Sequence, residues 1–479
     1  MRGHRLPRRK FLKGAMSLLS LPLLPACAPL RGDPHDPLDK FGGWTERKFI
    51  ATGYFRVEND GSRWWFVTPR GNAFISFGVN HYHMEWWAQT YNRQIWNKKF
   101  NTQETFDARW LGSFRDSAIN DLRRLGLNTL GVHTTAPPLT DPPGNSPFPY
   151  VATYEPLLLS HYKNPEATVY ADVFSPEFIL TCRSKARYEV RPRSEDPMVL
   201  GFAMSDCPPL TDSEANHYGT TTWPRRLRNL PASAPGKMAY VATIKHIYPS
   251  IQKFNSVYGT QFSDFNSLLL AQNWRADHPP ASKGEARDNT LFLKKCVNQY
   301  YSVAKSALRK YDKNHLFFGD KLNGNSDALD QYLQVVAQYT DVINIQYYAP
   351  WQQQKELLTK WLPIVKLPIL NGDSSYSTPT ELTPSPHGRP HARDQLQRAN
   401  WTKKFMENAL KIPNFIGWHM CGIIDTSKEM PGKENAQHQG LMSVDGAFYA
   451  EMEEVIKNLA SRLYELASEN LPTKNNKHT

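Results

Sequence analysis

Val342-Ile343-Asn344-Ile345-Gln346-Tyr347 is a short β-type run that follows an amphipathic helical segment at residues 327–338. It has the length and apolar character of a strand buried in a parallel sheet. The same alternation of apolar run and helical segment recurs along most of the chain. Eight such runs predict strands at residues 73–80, 127–133, 150–154, 198–204, 316–319, 342–347, 367–370 and 415–418. Eight strands with interposed helices predict a closed (β/α)8 TIM barrel of the α/β class.

A small β-hairpin is predicted before the barrel, with strands at residues 53–57 and 64–67 and Asn59-Asp60-Gly61 as its turn. Two connections are longer than a barrel needs: residues 208–290 after strand four and residues 377–397 after strand seven. Helical periodicity predicts further helices at residues 290–310, 398–410 and 448–466, and Gly126 ends a helix before strand two.

The first 26 residues are predicted to be an export signal that takes no part in the fold. Arg8-Arg9-Lys10-Phe11-Leu12-Lys13 resembles a twin-arginine signal, and the apolar stretch behind it is too short to span a bilayer. Leu24-Pro25-Ala26-Cys27 resembles a lipobox, in which the cysteine is lipidated after cleavage. An ordinary signal peptide with a coincidental cysteine is the alternative. We therefore expect a lipid anchor at Cys27 that attaches the protein to a membrane, in the periplasm or at the cell surface.

The domain organisation follows from these boundaries. Residues 1–26 are the signal peptide, residues 27–48 a linker, residues 49–468 one barrel domain and residues 469–479 a disordered tail.

Charge and cysteine content exclude several classes of partner. The formal net charge is +12, and six of these charges lie in residues 1–26, so the remainder carries about +6. No basic run interleaved with aromatic residues is present, which gives no support to nucleic-acid binding. The four cysteines after Cys27 show no paired spacing, so we expect neither a disulfide scaffold nor a bound metal, and no cofactor is predicted.

Polar and aromatic side chains are concentrated at the predicted carboxyl ends of the strands, where barrel proteins carry their chemistry. The candidate substrate-binding residues are His81, His83, Trp86, His133, Lys321, Asn323, Tyr347, Tyr348, Trp418 and His419. Flat aromatic rings and neutral hydrogen-bonding groups of this kind suit a carbohydrate, which we expect to be the substrate.

The sequence resembles glycoside hydrolases of the large retaining barrel clan, and most of all the exo-β-agarase-like families. The motifs that carry the resemblance are Gly53-Tyr54-Phe55-Arg56-Val57, Arg63-Trp64-Trp65-Phe66-Val67, Pro69-Arg70-Gly71-Asn72, Gly78-Val79-Asn80-His81 and Asp341-Val342-Ile343-Asn344-Ile345-Gln346-Tyr347-Tyr348. The likeness covers most of residues 50–460. It implies a general acid/base after strand four, a nucleophile after strand seven, a tyrosine after strand six and a tryptophan in strand eight.

The chain departs from that pattern at both catalytic positions. Cys207 stands where the relatives have the acid/base glutamate, and Asp206 stands at the preceding amide position. At strand seven the relatives' Gly-Glu is replaced by Gly372-Asp373.

Glycoside hydrolysis requires two carboxyl groups on opposite sides of the scissile bond. We predict Asp373 as the nucleophile or base and Asp206 as the acid, with an apolar surround raising the pKa of Asp206. The shorter aspartates are expected to widen the gap and favour inversion. Glu214 and Asp320 are the reserve catalytic candidates.

Two other functions are compatible with the sequence. A non-catalytic surface lipoprotein could bind glycans with the same aromatic cleft. A metal-dependent hydrolase of the amidohydrolase type could use His81, His83 and Asp425, although the histidines that such barrels place after strands five and six are missing.

Overall fold

The computed structural model describes residues 37–134, 136–157, 171–208, 210–211, 221–274, 280–325 and 329–469. The predicted signal peptide, the lipidation site Cys27, the reserve acid Glu214 and the tail from residue 470 lie outside this range. No helix in the described part of the chain is both long enough and apolar enough to cross a membrane.

Twelve strands form two sheets within the described residues. Their bounds are β1 (Trp44–Lys48), β2 (Arg56–Asn59), β3 (Trp64–Val67), β4 (Asn72–Phe74), β5 (Ser76–Val79), β6 (Thr129–Leu130), β7 (Tyr150–Thr153), β8 (Val199–Asp206), β9 (Phe317–Asn323), β10 (Ile343–Gln346), β11 (Ile369–Ser374) and β12 (Phe415–Met420). Strands β5 to β12 pair in parallel, in sequence order, and close into a barrel. The predicted TIM barrel is therefore confirmed.

Four barrel strands, β8, β9, β11 and β12, continue beyond their predicted ends. β8 runs through Asp206, β9 through Lys321 and β11 through Asp373. The backbone of these three residues is therefore held by the barrel, and their side chains start from fixed positions.

Helices surround the barrel and fill the long connection after β8. Within the described residues they are α1 (Arg93–Lys99), α2 (Ala108–Leu125), α3 (Pro176–Lys185), α4 (Trp223–Leu227), α5 (Pro235–Ile247), α6 (Ile251–Tyr258), α7 (Phe265–Leu270), α8 (Lys283–Arg309), α9 (Asp330–Val336), α10 (Trp351–Trp361), α11 (Gln395–Ala409), α12 (Ala450–Ser461) and α13 (Leu463–Ser468). Ser282 caps α8, and Gly126 ends α2 in a left-handed conformation with a φ of 72°.

The predicted hairpin is part of a four-stranded antiparallel sheet with the order β1-β4-β3-β2. The linker prediction for residues 27–48 requires a correction, because Trp44–Lys48 forms β1 and pairs with β4. The ring of Trp44 stacks on Tyr464 of α13 with 5.7 Å between centroids, and this aromatic contact explains why the segment is ordered.

Arg63 joins this sheet to the amino-terminal end of the barrel. Its fully buried guanidinium donates to the carbonyl oxygens of Leu410 at 2.9 Å, Phe415 at 2.6 Å and Ala467 at 2.5 Å. Burial lowers the pKa of Arg63 to about 10. The Arg63-Trp64-Trp65 motif is thus a structural clamp that closes the end of the barrel opposite the polar strand ends.

Candidate functional site

Eight polar side chains form a continuous ring around the mouth of the barrel, at the carboxyl ends of its strands. Each contacts the next in the order Asp206, His133, His81, His438, His387, Tyr348, Asp373 and Lys321, and Lys321 returns to Asp206. Six of these residues were predicted site residues. The structure therefore brings together groups that come from six different barrel strands and from two loops.

Lys321 occupies the acidic half of the ring. Its Nζ lies 2.8 Å from Asp206 Oδ1 and forms a shorter ion pair with Asp373 Oδ2. His133 Nε2 lies 2.9 Å from Asp206 Oδ2, and the Tyr348 hydroxyl donates to Asp373 Oδ1 at 3.2 Å. Both carboxylates and the ammonium are almost completely buried. Each charge is thus compensated by a direct partner, as burial requires.

The electrostatics of Asp206 differ from the sequence prediction. Burial acts to raise the pKa of Asp206, but the Lys321 ammonium and His133 outweigh it and hold this pKa well below its usual range. Burial likewise acts to lower the pKa of Lys321, and the two carboxylates outweigh it and raise that pKa. The prediction of a raised pKa for Asp206 is therefore wrong for the free site, because a buried cation faces the carboxyl group.

The spacing of the two carboxylates is limited by the partner that they share. One oxygen of each is bound to the same nitrogen, so these oxygens lie at most about 6 Å apart. Retaining glycosidases separate their carboxyl groups by about 5–5.5 Å, and inverting enzymes by about 6.5–9.5 Å. These ranges describe whole carboxyl groups rather than their nearest oxygens, so inversion stays a prediction, and the structure shows that Lys321 draws the two shortened side chains toward one nitrogen.

Four histidines form the other half of the ring. The ring centroids of His133 and His81 are 4.6 Å apart, those of His81 and His438 are 5.1 Å apart, and those of His438 and His387 are 5.7 Å apart. Trp86 stacks on His81 with 4.8 Å between centroids. Burial lowers the pKa of His81, His438 and His387, so these three rings are uncharged near neutral pH.

Three residues in the mouth have backbone conformations that non-glycine residues rarely adopt. His81 has a φ of 57°, His133 of 60° and Cys207 of 45°. All three directly follow or closely follow barrel strands. Such conformations persist only where the surrounding structure enforces them, and they are concentrated at functional sites.

Two predicted site residues face away from the mouth. Trp418 packs 4.4 Å from Phe405 of α11 and donates to the Ser374 hydroxyl at 2.9 Å, so its ring cannot form a floor for a sugar. His419 is buried and bonds to Ser76 Oγ at 2.7 Å, so it joins neighbouring strands inside the barrel. Both side chains are therefore corrected as sugar-binding residues. Consecutive side chains in β12 point in opposite directions, so Trp418 faces the helices and His419 faces the barrel interior.

The reserve acid Asp320 also points out of the barrel. Tyr300 and Tyr301 of α8 donate to its two oxygens at 3.1 and 2.8 Å, and the Ser205 amide donates at 3.0 Å. Burial raises the pKa of Asp320 to about 7. The side chain of the next residue, Lys321, points into the barrel. Asp320 therefore joins the barrel to α8, and its prediction as a reserve catalytic acid is corrected.

The remaining predicted residues lie around the rim. His83, Asn323 and Tyr347 are half-buried, and Asn323 accepts from the Asn325 amide at 3.1 Å. Asp425 is engaged by the Tyr449 hydroxyl at 2.6 Å and the Gly440 amide at 2.8 Å. Among the described residues, His81, His83 and Asp425 do not converge as a ligand set, which removes support from the amidohydrolase alternative.

Sequence reasoning missed three residues of the mouth: His387, Cys421 and His438. His387 lies in the loop at residues 377–397, whose histidine content was its only signal. His438 comes from the long segment after β12, and Cys421 directly follows that strand. The fold and the site together define a (β/α)8-barrel protein with a buried acidic–basic centre at the carboxyl ends of its strands.

Comparisons with known proteins agree with this class of fold. The chain is 23% identical over 493 aligned residues to β-agarase B of Vibrio sp. (strain JT0107), covering 89% of this chain and 50% of that protein. It therefore spans about half the length of this relative. A solved exo-β-agarase matches 91% of this chain and 69% of its own, with a TM-score of 0.76 and 18% identity. The crystal structure of an agarase matches 90% and 68%, with a TM-score of 0.72 and 19% identity. No family model matches the sequence.

Asp320 provides a test of the assigned side-chain directions. Its folded-state pKa of about 7 lies above the ordinary value of 3.8, so protonation stabilises the fold. This contribution is complete below about pH 4 and is lost as the pH rises through 7. Asn mimics the protonated acid. We therefore expect Asp320→Asn to gain stability relative to wild type between pH 4 and 7, as measured by urea unfolding.

The control is Asp116→Asn, which changes an exposed carboxyl group on α2. Its unfolding curve should follow that of wild type at each pH. A stability difference between Asp320→Asn and wild type that stays constant from pH 4 to 8 would contradict the raised pKa.

Proposed function

We propose that this chain is a glycoside hydrolase that cleaves a polysaccharide of the agar type at the mouth of its barrel. The observation that carries the proposal is the placement of Asp206 and Asp373, which face each other across one ammonium group at the ends of the fourth and seventh barrel strands. Two carboxyl groups at one site are the chemical requirement for glycosidic cleavage. The agarase names of the similar proteins support the choice of substrate.

Asp373 is the proposed nucleophile. Its carboxylate is oriented by the Tyr348 hydroxyl and by Lys321, and β11 fixes its backbone. Attack on the anomeric carbon would form a glycosyl ester, which water then hydrolyses with retention of configuration. The contacts that orient the Asp373 carboxylate toward the mouth support this route.

Asp206 is the proposed proton donor, and it must acquire a proton that the free site disfavours. A sugar hydroxyl that takes the place of Asp206 beside Lys321 would remove the attraction that lowers the pKa of this carboxyl group. Burial would then raise that pKa. Substrate binding and protonation of the acid are thus coupled in this proposal, and Lys321 is a positioning residue.

The neutral half of the ring is the proposed sugar-binding surface. Trp86 and the histidines offer flat faces and hydrogen-bonding nitrogens at the same mouth. Such groups bind sugar rings by stacking and hydrogen bonding without adding charge.

Replacing either carboxylate tests the catalytic pair. We expect Asp206→Asn and Asp373→Asn each to lower kcat on agarose oligosaccharides by at least about 10²-fold, because proton donation or nucleophilic attack is lost. Released reducing ends are the measurement, with exposed Asp116→Asn as the matched control.

Activity that survives in both variants would show that the assigned pair is wrong. A second candidate function is glycan binding without turnover. One observation favours it: both carboxylates form ion pairs with Lys321 in the free site. Wild-type protein that binds agarose oligosaccharides in calorimetry, yet releases no sugar, would establish that alternative.

The role of Lys321 is tested by the pH dependence of kcat/KM, which reports the pKa values of the free enzyme. The acid must carry a proton, so kcat/KM falls as the pH rises through the pKa of Asp206. Because this pKa is lowered in wild type, the descending limb of the pH profile lies at acidic pH. Lys321→Met removes the ammonium and should move this limb up by about 1–3 pH units. An unchanged limb in a folded Lys321→Met variant would refute the coupling.

Export and membrane anchoring remain proposals that rest on Arg8, Arg9 and Cys27. We expect protein purified from the membrane fraction to begin at a diacylated Cys27, as determined by mass spectrometry of its first peptide. An unmodified amino terminus at another residue would contradict the lipid anchor.

A further inference from the structure

Three metal-ligating side chains converge beside the proposed catalytic pair. His81 follows β5, Cys421 follows β12, and His438 belongs to the segment that leads to α12. One ligand atom from each lies within 4.8 Å of the other two. Cys421 Sγ and His438 Nδ1 are 3.2 Å apart. Cys421 and His438 lie 17 residues apart in one connection, and His81 is distant from both in sequence, so tertiary folding brings the three together.

The protonation state of the two histidines suits a metal ion. Burial lowers the pKa of both His81 and His438, so each imidazole is neutral near pH 7 and offers a lone pair. His81 is only 9% exposed. Within the part of the chain that the structure describes, its ring nitrogens form no hydrogen bond. Neither ring nitrogen is therefore committed to another protein group, and one of them can serve as a metal ligand.

His81 is also held in place. Its ring is stacked between Trp86 and His133, with interplanar angles of 12° and 21°, and its backbone has a left-handed φ of 57°. A ligand whose orientation is fixed in advance loses little conformational entropy when a metal binds.

We propose that His81, Cys421 and His438 bind a thiophilic transition-metal ion such as Zn²⁺, with a water molecule as the fourth ligand. Zinc–nitrogen and zinc–sulfur bonds of about 2.0–2.3 Å place tetrahedral ligand atoms roughly 3.5 Å apart. The Cys421–His438 pair is already close to this spacing, and a nitrogen of His81 lies within 4.8 Å of both of these ligand atoms. One thiolate and two imidazoles form a donor set that zinc prefers over hard cations.

Binding at this site requires one proton to leave. The Cys421 thiol is neutral because burial raises its pKa, whereas a metal ion binds the thiolate. Formation of the sulfur–metal bond therefore releases one proton to solvent, and the neutral histidines release none. Metal affinity should increase with pH for this reason. The titratable and charged groups that face the three ligands are Asp206, His133, Lys321, Tyr348, Asp373, His387 and Lys433.

The ammonium of Lys433 would repel a metal ion bound at this site. Its Nζ lies 3.3 Å from His438 Nε2 and places a positive charge next to the cluster. Burial lowers the pKa of Lys433, and the side chain is half-buried, so it can turn toward solvent. Removing this cation should strengthen metal binding, an effect that adventitious binding at surface histidines would not produce.

The test is a titration of the chelator-treated full chain with Co²⁺, which takes the place of Zn²⁺ and absorbs visible light. We expect one equivalent to bind with a thiolate-to-cobalt charge-transfer band and with release of about one proton per ion. Cys421→Ser should abolish that band, and His438→Gln should weaken binding at least about 10-fold. Lys433→Met should bind more tightly than wild type.

The matched control is Cys182→Ser, which removes another buried thiol, on α3. Its cobalt spectrum should equal that of wild type. Failure of wild type to bind one equivalent, or a charge-transfer band that persists in Cys421→Ser, would overturn the proposal. His438→Gln keeps the test decisive if the serine variant does not fold.

One consequence rests on the proposed function: an ion on His81 would compete with a sugar ring at Trp86. Agarose oligosaccharides should then lower the apparent affinity for Co²⁺. The cobalt spectrum itself requires no turnover, so a chain that binds the ion, yet releases no sugar when it is metal-free, would refute the hydrolase and leave the metal site standing.

Discussion

The contact on which the rest of the site depends is the pair of ion pairs made by Lys321. The barrel places Lys321 on β9, beside Asp206 on β8 and across the mouth from Asp373 on β11. Two buried carboxylates so close together would repel each other and lose their hydration, at a cost of several kcal/mol per ion. One ammonium between them offsets both effects. The second oxygen of Asp206 then binds His133, and the second oxygen of Asp373 accepts a hydrogen bond from the Tyr348 hydroxyl.

The same contact explains how a chain with altered catalytic positions can keep an acidic pair. A longer glutamate after β8 or β11 would reach further into the mouth, whereas the two aspartates stop where a lysine fits between them. The resulting centre has charge on one side and neutral rings on the other. In the proposed function, a polar substrate exchanges its own hydroxyl groups for the lysine contacts, so Lys321 takes part in binding.

The barrel could be predicted from the sequence because buried strands and amphipathic helices have different periodicities, and all eight strands were located. The side-chain directions were less accessible. A β-bulge reverses the alternation of inward and outward residues. Register shifts of this kind occur where β8 pairs with β7 and β9 and where β11 pairs with β12. Asp320 and Trp418 were therefore assigned to the mouth although they face the helices. His387 and His438 reach the site from loops, where no periodicity indicates which side chain turns inward.

Strain gives a further reason to regard the two halves of the ring as one site. His81, His133 and Cys207 each adopt a left-handed backbone, at a cost of about 1–3 kcal/mol per residue. His133 is held by the carboxylate of Asp206, and His81 is held by stacking on His133 and Trp86. The charged centre thus supports the neighbouring histidine conformations directly. Loss of the Asp206–His133 bond would remove a contact that fixes His133, and with it part of the support for His81, so the chemistry of one half cannot change without an effect on the other.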